Sequence, residues 1–327
     1  MAYIEPLFFQ PLLKPTIWGG DRLAGFKHFP PTRGIGESWE ISALSGNETH
    51  VAAGHEEGRT LSELIDTYGA ALMGVEVIRR YGSRFPLLVK FIDSAQDLSI
   101  QVHPSDEMAH RVGFPNGKTE MWYVLESEPE ASLVAGFRQT TTVEACRHSI
   151  ENGTLMQTLA RHTTHAGDCF FIPAGRIHSI GAGNLLVEIQ QSMDVTYRVY
   201  DFGRVDREGH ERPLHIEQAL EALDYEAQSD YRTHYALHDG RPADLVRCPY
   251  FTVRRWSTTQ TVRADREGAD SFSILVATEG SALLRDAEGG EFGLMAGQTV
   301  LIPAATKHVD IVPDAASTFG FLEVYIA

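Results

Sequence analysis

The chain has 327 residues, 43% of them hydrophobic and 22% charged, and a formal net charge of −16 at pH 7. That length can bury one large core or two moderate ones, so two domains are expected. The acidic surplus argues against a nucleic-acid or anionic-membrane partner, because phosphate backbones demand a basic surface; an anionic small substrate needs a local basic pocket instead.

The first twenty residues lack a basic start followed by an apolar run, so no signal peptide is read. No window approaches about 18 uninterrupted apolar residues. Cys146, Cys169 and Cys248 are odd in number, far apart and in no CxxC arrangement, which speaks against a disulfide framework. A cytoplasmic protein is the expectation.

Residues 1 to 55 are dense in Pro and Gly, with short strands such as Ser38–Ser42 and His50–Ala53 between turns. Thr60 and Glu63 form a capping box ahead of Leu61, Leu64 and Ile65, predicting a helical insertion over about 60–82. Phe85–Asp93 is an apolar run short enough for a buried strand, with Lys90 inside it; alone, that lysine reads as an edge residue snorkelling to water. Leu98, Ile100 and Val102 then alternate with Ser99, Gln101 and His103, so Gln101 and His103 share a strand face.

Further strands are predicted at Met121–Leu125, Ala131–Phe137, Cys169–Pro173, Asn184–Ile189 and Thr196–Tyr200, with a second helical insertion over about 141–160 and a short helix from His215 to Leu223. The polar stretch from Ser229 to Asp244 marks a boundary, dividing the chain into domains 1–228 and 229–327.

The second domain repeats the first. Gly297–His308 lies over Gly167–His178 at a constant offset, with Gly, Ile-Pro-Ala and His in matching places. Glycine permits the turn, the apolar run is a buried strand, proline ends the ladder, and the loop delivers the histidine inward. This pattern resembles the second half-motif of the cupin barrel, a double-sheet jelly roll. The expected fold is mainly β: two cupin (jelly-roll) barrels with a few short helices, the first carrying the metal site. In the second copy Asp270–Leu275 stands where the first has Thr119–Val124, and no Gln-x-His pair is present, so His308 reads as structural.

Gln101, His103, Glu120 and His178 supply two imidazoles, a carboxylate and an amide oxygen, a set that suits a divalent metal such as Zn²⁺ with one position left open. Singly, each reads as an ordinary polar residue at a strand end. Their conjunction on a Gln-x-His strand, a Lys-Thr-Glu-Met-Trp strand and a repeat-defined loop points to a metal. His110, His148, His162 and His165 are read as surface or helix residues.

Ser-Ile-Gln-Val-His-Pro, Lys-Thr-Glu-Met-Trp, Ile-Pro-Ala-Gly-x-x-His-Ser-Ile and Gln-Gln-Ser-Met-Asp-Val-Thr-Tyr-Arg together resemble the class I mannose-6-phosphate isomerases in their short bacterial form. The likeness extends over nearly the whole chain, from Trp18-Gly19-Gly20 to the degenerate second cupin. It implies zinc ligands at His103, Glu120, His178 and Gln101, with Gln101 the peripheral one. It also implies a catalytic arginine at Arg198, and substrate phosphate at Lys90, Ser99 and Lys118, where a lysine in a buried strand makes sense as a point-charge partner for a dianion. The implied reaction interconverts mannose 6-phosphate and fructose 6-phosphate through an enediol, with metal-bound water or Glu37 as candidate bases. Many relatives carry His-Pro after the tryptophan strand; here Ala43-Leu44 follows Trp39–Ser42, so no histidine acts there.

The expected partner is a small phosphorylated sugar, with no nucleic acid, no membrane, and the chain a monomer or homodimer. Two other readings are a non-catalytic metal-containing sugar-binding or regulatory cupin and an iron oxygenase. Retention of the ligand set with Arg198 and both lysines weighs against the first, and the lack of a third histidine against the second.

Overall fold

Alternating and continuous apolar runs build four main β-sheets in the computed structural model, which describes residues 3–205, 208–306, 308–315 and 317–327. A six-stranded sheet runs in the order Cys169–Ile172, Glu120–Ser127, Asn184–Gln191, Leu87–Ser94, Leu12–Gly20 and Ile35–Ile41. Its partner has five strands: Leu159–Thr163, Ser132–Phe137, His178–Ile180, Ile100–Val102 and Tyr197–Tyr200. Ile92, Trp122, Phe170 and Leu186 of the first sheet pack with Leu133, Ala135 and Ile180 of the second in one buried cluster. Polar residues of the same two sheets face each other beside that cluster.

The second pair of sheets repeats the arrangement. Seven strands run in the order Ala243–Arg247, Thr252–Thr258, Phe319–Tyr325, Ser273–Glu279, Thr299–Ile302, Leu7–Gln10 and His50–Val51. Four more, Val262–Ala264, Val309–Pro313, Ser281–Asp286 and Glu291–Met295, complete it. Leu275, Val300, Phe319 and Phe321 pack there against Leu284, Val309 and Ile311, a core without ligands.

A division between residues 228 and 229 is crossed by the chain. Leu7 pairs with Leu301 and Phe8 with Val300, so the first strand of the protein lies in the second barrel's sheet. The insertion over 60–82 is helical as expected, but it is three short helices, Leu61–Tyr68, Ala70–Met73 and Val75–Tyr81. Gly69 and Gly74 break it with φ of 48° and 95°, conformations that glycine reaches without steric cost. Its backbone also binds the second barrel: Ala304 and Ala305 donate to the carbonyls of Leu72 and Ala71. The second insertion is the helices Val143–Glu151 and Leu155–Thr158.

The ladders also correct the internal alignment. Ile172 stands opposite Glu120, and Ile302, its repeat counterpart, stands opposite Ser273. The residue at the Glu120 position is therefore Ser273, two places beyond the residue matched by sequence, because the segment between the paired strands is shorter in the second copy, which lacks the helices Val143–Glu151 and Leu155–Thr158. His308 is partly exposed and near Asp310. No helix of the described residues is long and apolar enough to cross a membrane.

Candidate metal centre and substrate pocket

One register sets the floor of the site. Gln101 pairs with His178 on one side and Arg198 on the other, so Arg198, Gln101 and His178 form a single row across the five-stranded sheet. His103 follows two residues after Gln101 on the same face. Glu120 comes from the opposing six-stranded sheet, where it lies between Ile172 and Gln190.

His103 and His178 are oriented by backbone carbonyls. Nδ1 of His103 donates to the carbonyl of Val195 at 2.9 Å, and Nδ1 of His178 donates to the carbonyl of Arg176 at 2.8 Å. A carbonyl only accepts, so both Nε2 atoms carry lone pairs. Each points at a different oxygen of Glu120, at 3.4 Å. Burial, with the Lys118 charge behind it, pushes the His103 imidazole down to about 3, and burial depresses His178 as well. Burial alone would raise Glu120, but Lys118 and the two imidazoles outweigh it and hold the carboxyl well below its usual range.

Both Glu120 oxygens are buried and accept no hydrogen bond. Lys118 lies 3.1 Å from Oε2 and 3.2 Å from Nε2 of His103, a cation near the centre without hydrogen-bond geometry to the carboxylate. Lone pairs from His103, Glu120 and His178 thus converge within 4.8 Å of one another in a buried site, an arrangement that fits a divalent cation. The imidazole Nδ1–H to carbonyl bonds are the outer contacts that ligating histidines ordinarily have.

Gln101 is the outlying member. Its amide nitrogen is 3.2 Å from Nε2 of His178, and its oxygen accepts from Ser99 Oγ at 3.2 Å. A half-turn of the amide exchanges the two atoms and presents the oxygen to the centre.

The two lysines stand in different surroundings, Lys118 beside Glu120 and Lys90 beside Glu188 and Glu37. Lys90 is 3% exposed, in a central strand, where the edge reading does not apply. It lies 3.2 Å from Glu188 and 3.5 Å from Glu37, and its ammonium sits over the Trp39 ring. Burial works to lower its proton affinity, and these two carboxylates more than reverse that. Glu188 itself is raised, by burial and then by the Glu120 charge, and accepts from Trp122 Nε1 at 3.0 Å. Glu37 goes the other way: burial would raise it, and Lys90, the Trp39 indole N–H and Lys118 together outweigh burial.

These groups open onto a cavity of about 370 Å³. Trp18, Ile92, Leu98 and Ile180 wall it, Lys118, Lys90, Glu188 and Asp194 line one part, and Arg198, Arg212 and His215 another. Arg198 is half-buried; its Nη1 donates to the Pro213 carbonyl at 2.9 Å, and its buried Nε has no partner. Arg212 shares Asp201 with Arg204, so three charges there leave one positive. His215 is held neutral by burial and then by Arg198.

All eight sequence-derived site residues border this region: Gln101, Lys90, Ser99, Lys118 and Arg198 line the cavity, and His103, Glu120 and His178 form the centre beside it. Glu188, Asp194, Arg212 and His215 escaped the sequence reading. Glu188 had a signal, being an acid inside the apolar run Leu185–Ile189 just as Lys90 is a base inside its own. Arg212 and His215 had none, since a long loop carries them back to the pocket. His110, His148, His162 and His165 do not enter it.

A family model described as phosphomannose isomerase type I, catalytic domain, matches residues 7–142. The mannose-6-phosphate isomerase ManA of Bacillus subtilis (strain 168) is 39% identical over 257 residues, 77% of this chain and 79% of that protein. The mannose-6-phosphate isomerase of Streptococcus mutans serotype c is 34% identical over 306 residues, 93% of this chain and 94% of its own. The crystal structure of the mannose 6-phosphate isomerase from Bacillus subtilis superposes with a TM-score of 0.86 at 30% identity, covering 98% of this chain and 99% of that one. The fold, the buried His-Glu-His centre and relatives of this identity across most of the chain agree, and the protein belongs to the type I mannose-6-phosphate isomerases.

Proposed function

We propose that the chain interconverts D-mannose 6-phosphate and D-fructose 6-phosphate through an enediol or enediolate, with Zn²⁺ held by His103, Glu120 and His178, and by Gln101 after rotation of its amide. The observation that carries this reading is the buried Glu120 carboxylate, which accepts no hydrogen bond and has the Nε2 lone pairs of both imidazoles at 3.4 Å. When bound, a divalent ion there supplies Lewis acidity to the sugar oxygens at C1 and C2.

The chain's own residues do the rest. Lys90, Lys118 and Glu188 are buried, so their charges act at a lower effective dielectric than in water. Arg198, a cation with a free buried N–H, faces the oxyanion that develops as the C2 proton leaves. Glu188 has a raised proton affinity and lines the pocket, which makes it a better proton carrier than Glu37, whose affinity is lowered. Lys90 partly offsets that rise and holds Glu188 in place.

The resemblance implies phosphate at Lys90, Ser99 and Lys118. The two lysines are engaged with carboxylates and Ser99 is buried against Gln101, which favours Arg212 and His215 for the phosphate, with Lys90, Lys118 and Arg198, the last beside Gln101 in the sheet, serving the reacting carbons. Binding energy gathered at that remote group is then converted into alignment at C1 and C2. The three cysteines are unpaired, which supports a reducing, cytoplasmic setting.

The test is direct: metal-replete protein is mixed with mannose 6-phosphate in deuterated water and followed by NMR. Appearance of fructose 6-phosphate supports the proposal; substrate that persists unchanged contradicts it.

A further inference from the structure

A second cavity, larger than the substrate pocket at about 770 Å³, opens between the two barrels. One wall is the far part of the strand that carries Glu120, through Tyr123 and Leu125; another is the second barrel, through Arg255, Thr278 and Glu279; the connecting segment around Arg232 completes it. Successive residues of a strand face opposite ways, so Tyr123 and Glu120 lie on opposite faces, and this cavity is separate from the metal centre. Nothing in the isomerase chemistry uses it.

Its polar groups are incompletely served. Arg255 is buried, lies over the Tyr123 ring, and donates from Nε to the Tyr123 hydroxyl at 2.9 Å and from Nη1 to the Phe321 carbonyl at a long 3.5 Å. The nearest carboxylate to its guanidinium among the described residues is Glu279, at 4.0 Å and itself 62% exposed. A desolvated arginine ordinarily has a close, bidentate carboxylate. Arg254, the next residue, has one: its Nη2 reaches Glu323 at 2.7 Å. On the same rim, Thr278 Oγ1 is buried with no partner, and so is Arg232 Nε, although Asp168 lies 3.2 Å from it off hydrogen-bond geometry.

We propose that this inter-barrel cavity is an accessory binding site for a small phosphorylated polyol. An oxyanion would complete the coordination of Arg255, and Thr278 would donate to it as well. Asp168 and Glu279, also on the lining, would oppose a bare polyanion but accept hydrogen bonds from hydroxyl groups. A ligand with one anionic end and a hydroxylated body satisfies both sets. Because it would bridge the Glu120 strand and the second barrel, occupancy stabilises the junction between them by mass action.

The test uses glycerol 3-phosphate as probe, titrated calorimetrically into the full-length metal-loaded protein carrying Arg198→Ala, so that the substrate pocket is weakened. One equivalent per chain is expected. Adding Thr278→Val or the conservative Arg255→Lys is expected to weaken that binding at least 10-fold, with circular dichroism and metal content unchanged; Thr278→Val serves should Arg255→Lys impair folding. Inorganic phosphate is expected to bind several-fold more weakly than the polyol ester. No binding to the Arg198→Ala protein, or binding indifferent to both cavity substitutions, overturns the site; equal affinity for inorganic phosphate overturns the polyol assignment.

Discussion

His178 and Arg198 flank Gln101 in one cross-strand row, so a single register fixes both the metal end and the cationic end of the substrate pocket. Adjacent strands are about 4.8 Å apart, which puts the two residues roughly 10 Å from each other across the sheet. A slip of one residue in the short Ile100–Val102 strand would turn Gln101 and His103 to the opposite face and dismantle the site. The strand holds its register through Val102 opposite Tyr197 and the buried residues Ile100 and Val102.

Loss of a ligand is expected to remove metal and activity together. Glu120→Gln keeps the shape but discards the charge that brings two imidazoles and a cation together. We expect a fall in kcat/KM of about 1000-fold or more, since a Lewis acid contributes several kcal/mol. Gln101→Ala, at the edge of the set, is expected to weaken metal affinity only about 10- to 100-fold. Metal content by elemental analysis, alongside initial rates, checks both; full metal and full rate in Glu120→Gln would refute the assignment.

Arg198→Ala is expected to lower kcat by about 100- to 1000-fold, the range for removing one donor to a developing oxyanion. Arg198→Lys should recover only part, because Lys lacks the planar fork. Steady-state kinetics that showed a raised KM with unchanged kcat would instead make Arg198 a binding residue alone.

Acid is expected to destabilise the metal-free protein in a defined window. Folded His103 titrates near 3, and His178 is shifted the same way, whereas an unfolded histidine titrates near 6.5. Between those values the unfolded chain binds more protons, so stability rises with pH. The contribution is complete above about 6.5 and is lost as pH falls toward 3. Thermal unfolding of the metal-free protein should therefore show Tm dropping from pH 7 to pH 5, with a shallower slope in a His103→Asn variant; identical slopes would contradict the assignment.

Much of this was legible because the residues concerned violate their surroundings. Lys90 within Phe85–Asp93 is a charge in an apolar run, and two copies of Ile-Pro-Ala with a trailing histidine are hard to produce by chance. The crossing of the domain boundary was not legible. Leu7-Phe8-Phe9 is apolar on both faces, and nothing local says that Leu301, almost three hundred residues away, is its partner. Equivalence of Ser273 with Glu120 depended likewise on a ladder, since segments of unequal length between the paired strands erase the sequence register. Arg212 and His215 reach the pocket through loop geometry, which leaves no periodicity to read.

A chain ending at residue 228 is expected to be insoluble or unfolded, because Leu7 and Phe9 would lose the second barrel's sheet and expose their buried side chains. Recovery of a soluble, active fragment would contradict the shared architecture.

The second barrel keeps a cation–carboxylate pair where the first has one. Arg254 pairs with Glu323 across strands as Lys90 pairs with Glu188, and Trp256 Nε1 donates to Glu323 as Trp122 does to Glu188. Here the pair is structural: Glu323→Ala is expected to cost about 1–3 kcal/mol by removing the buried partner of Arg254 and Trp256, with Glu267 at 3.0 Å still beside Arg254. Denaturant titration measures the loss, and activity of the folded fraction should be retained.

The central claim is that a metal held by His103, Glu120 and His178 drives the sugar phosphate isomerisation, and it is tested by stripping the protein with chelator and restoring Zn²⁺ while fructose 6-phosphate formation from mannose 6-phosphate is followed in a coupled assay. Activity that vanishes with the metal and returns in proportion to it, saturating at one Zn²⁺ per chain, is the expected result. Full turnover in protein shown to be metal-free would contradict the account.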